Sequence, residues 1–241
     1  MKRSLFFSIC MIFVLSSCHY FEGKRVDGDG NVISQARSVT DFKGVEVGGA
    51  IELYLTQDSA YSVKVETDNN LQEFIEVYKE GDILRVRTAN NINLDPTGDR
   101  IKVYVSAPSY RKIGASGACK VIAQNKLSHE SGIDIDLSGA SEAQLEIQAP
   151  NVDVEASGAC NLTMRGQTKD LTIDGSGSTE IKAFDLLSEN ADIELSGAGD
   201  VDIYASVKVD ARTSGSSSIR YKGNATVSSD ISGAGSVKKV D

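Results

Sequence analysis

The chain has no tryptophan, 3 prolines and only 6% aromatic residues among its 241 positions. A groove that grips sugar rings on exposed aromatics therefore has little to draw on. It has 2 histidines. His19 lies near the start and His129 sits in a polar Ser-His-Glu-Ser stretch that reads as a loop. No Ser-His-Asp arrangement and no histidine-based metal cluster can be assembled from that. Basic residues are in the minority, 25 against 34 acidic, for a net charge of −9. Phosphate binding needs a basic surface, so nucleic acid is excluded as a partner. Of the 4 cysteines, Cys10 and Cys18 fall in the leader, which leaves Cys119 and Cys160. That is no disulfide framework. No phosphate-binding loop is visible: Gly28-Asp29-Gly30 follows no strand and opens no helix.

Long apolar runs are also missing. The one stretch, Leu5 to Leu15, is too short to span a bilayer. With Lys2 and Arg3 before it and Ser16-Ser17-Cys18 after it, residues 1–17 read as a secretory signal. The Leu15-Ser16-Ser17-Cys18 end resembles a bacterial lipobox. The resemblance implies cleavage before Cys18 and a diacylglyceryl group on its sulfur, so the membrane is reached through a lipid anchor. Position 19 is His rather than the Asp that retains enteric lipoproteins at the inner membrane, which points to the outer membrane. Residues 18–36, with Gly23, Gly28 and Gly30 among polar side chains, read as a flexible tether.

What is present is alternation. Val45-Glu46-Val47, Ile51 to Leu55, Tyr61 to Glu66, Ile83 to Arg87 and Ile101 to Val105 each switch between apolar and polar at every residue. Each predicts a half-buried strand. Glu80-Gly81-Asp82 between two such runs predicts a hairpin. Asp68 to Ile75 is the one helical turn expected, with Asp68 or Asn69 at its N-cap. Asn90 to Arg100 reads as a polar loop.

From residue 111 a dipeptide recurs: Ser116-Gly117, Ser138-Gly139, Ser157-Gly158, Ser176-Gly177, Ser196-Gly197, Ser214-Gly215 and Ser232-Gly233. The glycines are 22, 19, 19, 20, 18 and 18 residues apart. A near-constant period of that size is a solenoid signature. Set in register on glycine, the residues four before it are Ile113, Ile135, Val154, Ile173, Ile193, Ala211 and Ser229. Those four after it are Val121, Ala143, Leu162, Ile181, Val201, Ile219 and Val237. Each repeat is thus a strand, a Ser-Gly corner and a second strand. The expectation is an all-β, parallel β-helix of about seven Ser-Gly-cornered rungs, right-handed. Residues 37–110 are an irregular β part that starts or caps the stack, and 37–241 form a single domain.

The register has two consequences. Cys119 and Cys160 share a small-residue column two rungs apart, roughly 9 to 10 Å at strand spacing. A disulfide needs less than about 7 Å between Cα atoms, so two buried free thiols are expected. Second, like charges stack on the outer face. Asp134, Asp153, Asp192 and Asp210, with Thr172 among them, form one acidic column; Asp136, Glu155, Asp174, Glu194, Arg212 and Asp230 form another. Ca²⁺ would relieve the repulsion, which makes the first column the candidate metal ladder. The simpler reading is a solvated face that discourages edge pairing, and the Gly-Gly-x-Gly-x-Asp pattern of calcium-binding β-rolls is absent.

Gly28-Asp29-Gly30-Asn31, Val39 to Val45, Asp68 to Leu71, Ala107 to Ile113 and the recurrent corners, in this order, resemble the family called putative autotransporter adhesin, head GIN domain. The resemblance covers about residues 28 to 241. It implies a β-helical domain with an adhesive role and carries over no catalytic residue and no cofactor. The expected function is a non-catalytic cell-envelope lipoprotein that presents a rigid β surface to a protein or glycan partner, with self-association as a further possibility at the last rung. A carbohydrate-binding or carbohydrate-cleaving β-helix is the alternative.

Overall fold

A computed structural model describes residues 23–98 and 100–241. The expected signal peptide, residues 1–17, and the expected lipid-anchor residue Cys18 lie outside the described residues. The described residues are 70% strand and 3% helix, arranged as a β-solenoid of about seven turns.

Each repeat folds as its pattern dictates. The strand Asn151–Gly158 turns at its glycine into Asn161–Gln167, and Asp170–Gly177 turns into Glu180–Gly197. Successive rungs pair parallel and in register, so that Ile135, Val154, Ile173, Ile193 and Ala211 form one column. All five are at most 1% exposed, as are Val121, Ala143, Leu162, Ile181, Val201 and Ile219 on the other sheet. The two apolar columns close against each other and form one continuous core. A single two-stranded unit exposes its apolar side; stacking buries it at roughly 25 cal/mol per Å² of apolar surface.

The corner requires glycine for two separable reasons. Gly158 has φ +98°, a region that costs an L-residue free energy. In addition, a Cβ on Gly158 would lie 2.5 Å from the carbonyl oxygen of Gly139 on the rung before it. The same carbonyl accepts a hydrogen bond from Ala159 N at 2.7 Å, so it has no freedom to withdraw.

The N-terminal half is more regular than its sequence suggests. Gly44–Gly49 and Ile51–Gln57 form a rung of the same solenoid, with Gly48-Gly49 as its corner. Gly48 and Gly49 register with Ser116 and Gly117. Residues 83–107 then stack on the far side of that rung, through Ile83–Thr88 on one sheet and Ile101–Ala107 on the other. The spatial order is therefore 83–107, 44–57, 112–123 and onward, which is not the chain order. Antiparallel strands finish this end. Ile75–Glu80 pairs with Ile83–Thr88 through the expected hairpin, Ser62–Asp68 with Ile101–Ala107, and Val32–Ala36 with Ser62–Asp68.

The flexible tether read over 18–36 needs correction within the described residues. Lys24–Asp27 is a strand, parallel to Ile92–Asp95 inside the stretch expected as a polar loop, and Val32–Ala36 is a second, so Gly28-Asp29-Gly30 does follow a strand, contrary to expectation, and leads into a strand rather than a helix. Glycine content suggested a tether, but backbone partners decide the matter. Gly28 N donates to Asp95 O at 2.8 Å and Asn69 N to Asn31 O at 2.9 Å. The helical turn is present as a 3-10 helix, Asn69–Phe74, with Asp68 at the N-cap position. The Asp68 side chain does not cap it. It is fully buried and accepts from Gly30 N at 2.9 Å, Thr97 N at 2.9 Å and Thr97 Oγ1 at 2.6 Å. One carboxylate thus holds the 28–31 segment and the loop at residue 97 onto the domain.

Candidate functional site: the acidic face

Alternation sends every second residue of a strand outward. On the sheet that ends in the Ser-Gly corners, the outward positions stack as the sequence register predicts. Asp136, Glu155, Asp174 and Glu194 are register partners on four consecutive rungs. Beside them run Asp134, Asp153, Thr172, Asp192 and Asp210. The backbone positions of adjacent acidic residues in a column are one strand spacing apart, about 4.8 Å. The inner column and the corner serines line a groove of about 630 Å³.

Cations close both ends of this field. Lys112 Nζ is 2.6 Å from Asp136 and 3.6 Å from Glu46. The hydrogen bond with Asp136 raises the Lys112 ammonium above its ordinary pKa. At the other end Arg212 is 3.3 Å from Asp192, 3.9 Å from Glu194 and 3.8 Å from Asp210. Between them Asp134, Asp153, Glu155 and Asp174 have no basic group within 4 Å among the described residues. The centre of the face is a fixed, uncompensated negative field.

The candidate Ca²⁺ ladder has the expected register without the convergence a metal requires. Thr172 interrupts the column, Asp192 and Asp210 are held by Arg212, and Lys208 reaches Asp210 at 3.4 Å. Among the described residues, no group of three or more His, Cys, Asp or Glu side chains is arranged to hold a metal ion. Six to eight oxygens must surround Ca²⁺; a flat ladder presents its carboxylates in a row.

Other candidate residues take structural places. His129 is half-buried, and its Nδ1 accepts from Ser131 N at 3.1 Å. Cys119 and Cys160 are buried free thiols, with Ser141 on the rung between them. Burial pushes the Cys119 thiol up. The repeat aromatics Phe184, Tyr204 and Tyr221 are all half-buried. Phe184 lies against Arg220 and Lys222, at 5.9 and 5.1 Å from its ring centre. Arg220 in turn binds Asp202 bidentately, both contacts at 2.6 Å. Phe184 thereby covers an ion pair.

A second charged row escaped the sequence reading. On the other sheet Glu66, Lys102, Glu52, Lys120 and Glu142 are register partners across five strands. Their charges alternate. Nothing local in the sequence signals this row, because it exists only once residues 101–107 and 62–68 are stacked out of chain order.

Stacked rungs with a closed core and an outward ladder define a β-solenoid that presents a rigid charged sheet. The chain belongs to the family described as putative auto-transporter adhesin, head GIN domain, whose model matches residues 41–225. Solved structures agree on the fold. A putative adhesin from Bacteroides fragilis NCTC 9343 aligns with a TM-score of 0.83 at 20% identity, over 89% of this chain and 100% of that one. A putative lipid binding protein from Parabacteroides distasonis ATCC 8503 aligns with a TM-score of 0.68 at 25% identity, over 90% and 100%. A putative adhesin from the same strain aligns at 0.71 and 22%, over 90% and 100%. No curated protein matches the sequence.

Proposed function

We propose that this chain is a non-catalytic cell-envelope lipoprotein, anchored through Cys18 in the outer membrane, that makes adhesive protein–protein contact through its acidic face. One observation carries the reading. Asp134, Asp153, Glu155 and Asp174 are uncompensated and held at strand spacing by columns that are completely buried beneath them. A rigid array loses little conformational entropy on binding, and its field steers a basic partner. The partner class is therefore a protein surface or peptide rich in Lys and Arg. The family supports the adhesive role; the Leu15 to Cys18 sequence supports the anchor. The half-buried repeat aromatics disfavour the carbohydrate reading.

The test uses intact cells that display wild type or the double variant Glu155→Lys/Asp174→Lys, matched for melting temperature. Adhesion is expected to fall at least tenfold in the variant and to weaken with salt, since exposed charges are screened beyond about 8 Å at physiological ionic strength. Adhesion unchanged by both perturbations defeats the proposed contact face. Resistance of the displayed domain to added protease on intact cells defeats surface adhesion.

A further inference from the structure

We propose that a second concavity, over the alternating-charge row, binds a small zwitterion. The cavity has a volume of about 590 Å³, within the ~300–1,000 Å³ typical of small-molecule sites. Its floor is the row that runs from Glu66 to Glu142 across five strands. The outer members are engaged: Lys120 lies 3.3 Å from Glu142 and Lys102 lies 3.9 Å from Glu66. Glu52, at the middle, has no cation within 4 Å among the described residues although a lysine flanks it on each side. At the rim Arg100 donates from Nη1 to Ala118 O at 2.8 Å and meets no carboxylate within 4 Å among the described residues. Among the described residues, the cavity thus holds one carboxylate and one guanidinium that lack an ion-pair partner. Tyr54 supplies an apolar wall that is fixed by stacking on Tyr104, with ring centres 4.9 Å apart and planes 12° from parallel. Burial and the nearby Glu52 carboxylate push the Tyr54 phenol up, which keeps it a neutral donor.

This arrangement selects by charge. A simple anion gains Arg100 but faces Glu52. A simple cation gains Glu52 but faces Arg100 and two lysines. An apolar ligand would strip water from a charged floor without replacing it. A molecule with an ammonium at one end and a carboxylate or phosphate at the other satisfies both groups. Two sources carry that chemistry, a free amino acid or dipeptide and the head group of an ethanolamine phospholipid.

Calorimetric titration tests the site with phosphoethanolamine and glycylglycine, and with inorganic phosphate and ethanolamine as half-ligands. Saturable binding is expected for at least one zwitterion and for neither half-ligand. Arg100→Gln and Glu52→Gln are each expected to weaken it about tenfold or more, the worth of one hydrogen bond to a charged group. A melting curve confirms that each variant is folded. Co-sedimentation of the Cys18→Ser chain with phosphatidylethanolamine vesicles separates the sources: vesicle binding assigns the lipid head group, and binding of free zwitterions without it assigns a soluble ligand. The proposal is overturned if neither zwitterion binds at about 10 mM, a Kd that would leave under 3 kcal/mol. It is equally overturned if phosphate alone binds as tightly, or if both folded variants bind like wild type.

Discussion

Alanine at Gly158 tests the corner more directly than any other change, because the structure contains controls for each part of the cost. Gly158 combines φ +98° with a Cβ position 2.5 Å from the Gly139 carbonyl. Gly81, at the hairpin, has φ +60° with nothing within 4 Å of its Cβ position. Gly98 has open space and no positive φ. The φ term alone is worth about 1–2 kcal/mol for an L-residue. An added methyl forced into packed backbone costs about 1–3 kcal/mol more. Gly158→Ala is thus expected to lose roughly 2–5 kcal/mol, Gly81→Ala about 1–2, and Gly98→Ala close to nothing. At about 2–4 °C per kcal/mol for a chain of this length, Gly158→Ala should melt roughly 4–20 °C below wild type. Differential scanning calorimetry reads the three variants side by side. The corner argument is refuted if Gly158→Ala melts with wild type, or if Gly81→Ala costs as much as Gly158→Ala, since the stacked carbonyl would then contribute nothing.

Two further outcomes follow from the interior. Ser141 stands on the rung between Cys119 and Cys160, so Ser141→Cys brings neighbouring Cα atoms to about 4.8 Å, inside the range a disulfide accepts. Under mild oxidant, peptide mapping should find a 141 cross-link to 119 or 160 in the variant and both wild-type thiols still free; a 119–160 disulfide in wild type would break the register. Burial alone would raise the Asp68 carboxyl, but the hydrogen bonds from Thr97 and Gly30 outweigh it and hold the group below its usual range. A depressed folded pKa gives stability that is complete above the unfolded value, about 3.9, and lost as pH falls through the folded one. Asp68→Asn should therefore cost about 1.5–3 kcal/mol in urea unfolding at pH 7, and the gap to wild type should narrow below about pH 4; a gap that is constant with pH would show that the charge is immaterial.

Much of this molecule could be read from the chain because its determinants are local and repeated. Apolar alternation decides which side of each strand is buried, and a glycine every 18 to 22 residues places the corners. These two periods in combination allow one parallel register, which is why the Ile113 to Ala211 column, the unpaired thiols and the acidic ladder all stand where counting puts them. The N-terminal half obeys the same alternation but not the period. Gly48-Gly49 is a corner without its serine, and residues 83–107 stack outside 44–57. Rung order there depends on which edges remain open after the antiparallel strands have paired, a non-local competition that no window of sequence contains. The same holds for the strands hidden in the supposed tether, whose partners at 91–95 and 63–69 are distant in the chain. Sequence alone thus determined the solenoid and its like-charged face. Only the tertiary structure decided that Arg212 pairs with Asp192 and shares Asp210 with Lys208, that the ladder carboxylates stand in a row, and that glutamates and lysines from five strands meet under Arg100. Charge identity is written residue by residue, but whether two charges compensate, repel or share a ligand depends on distances of a few ångströms that stacking sets.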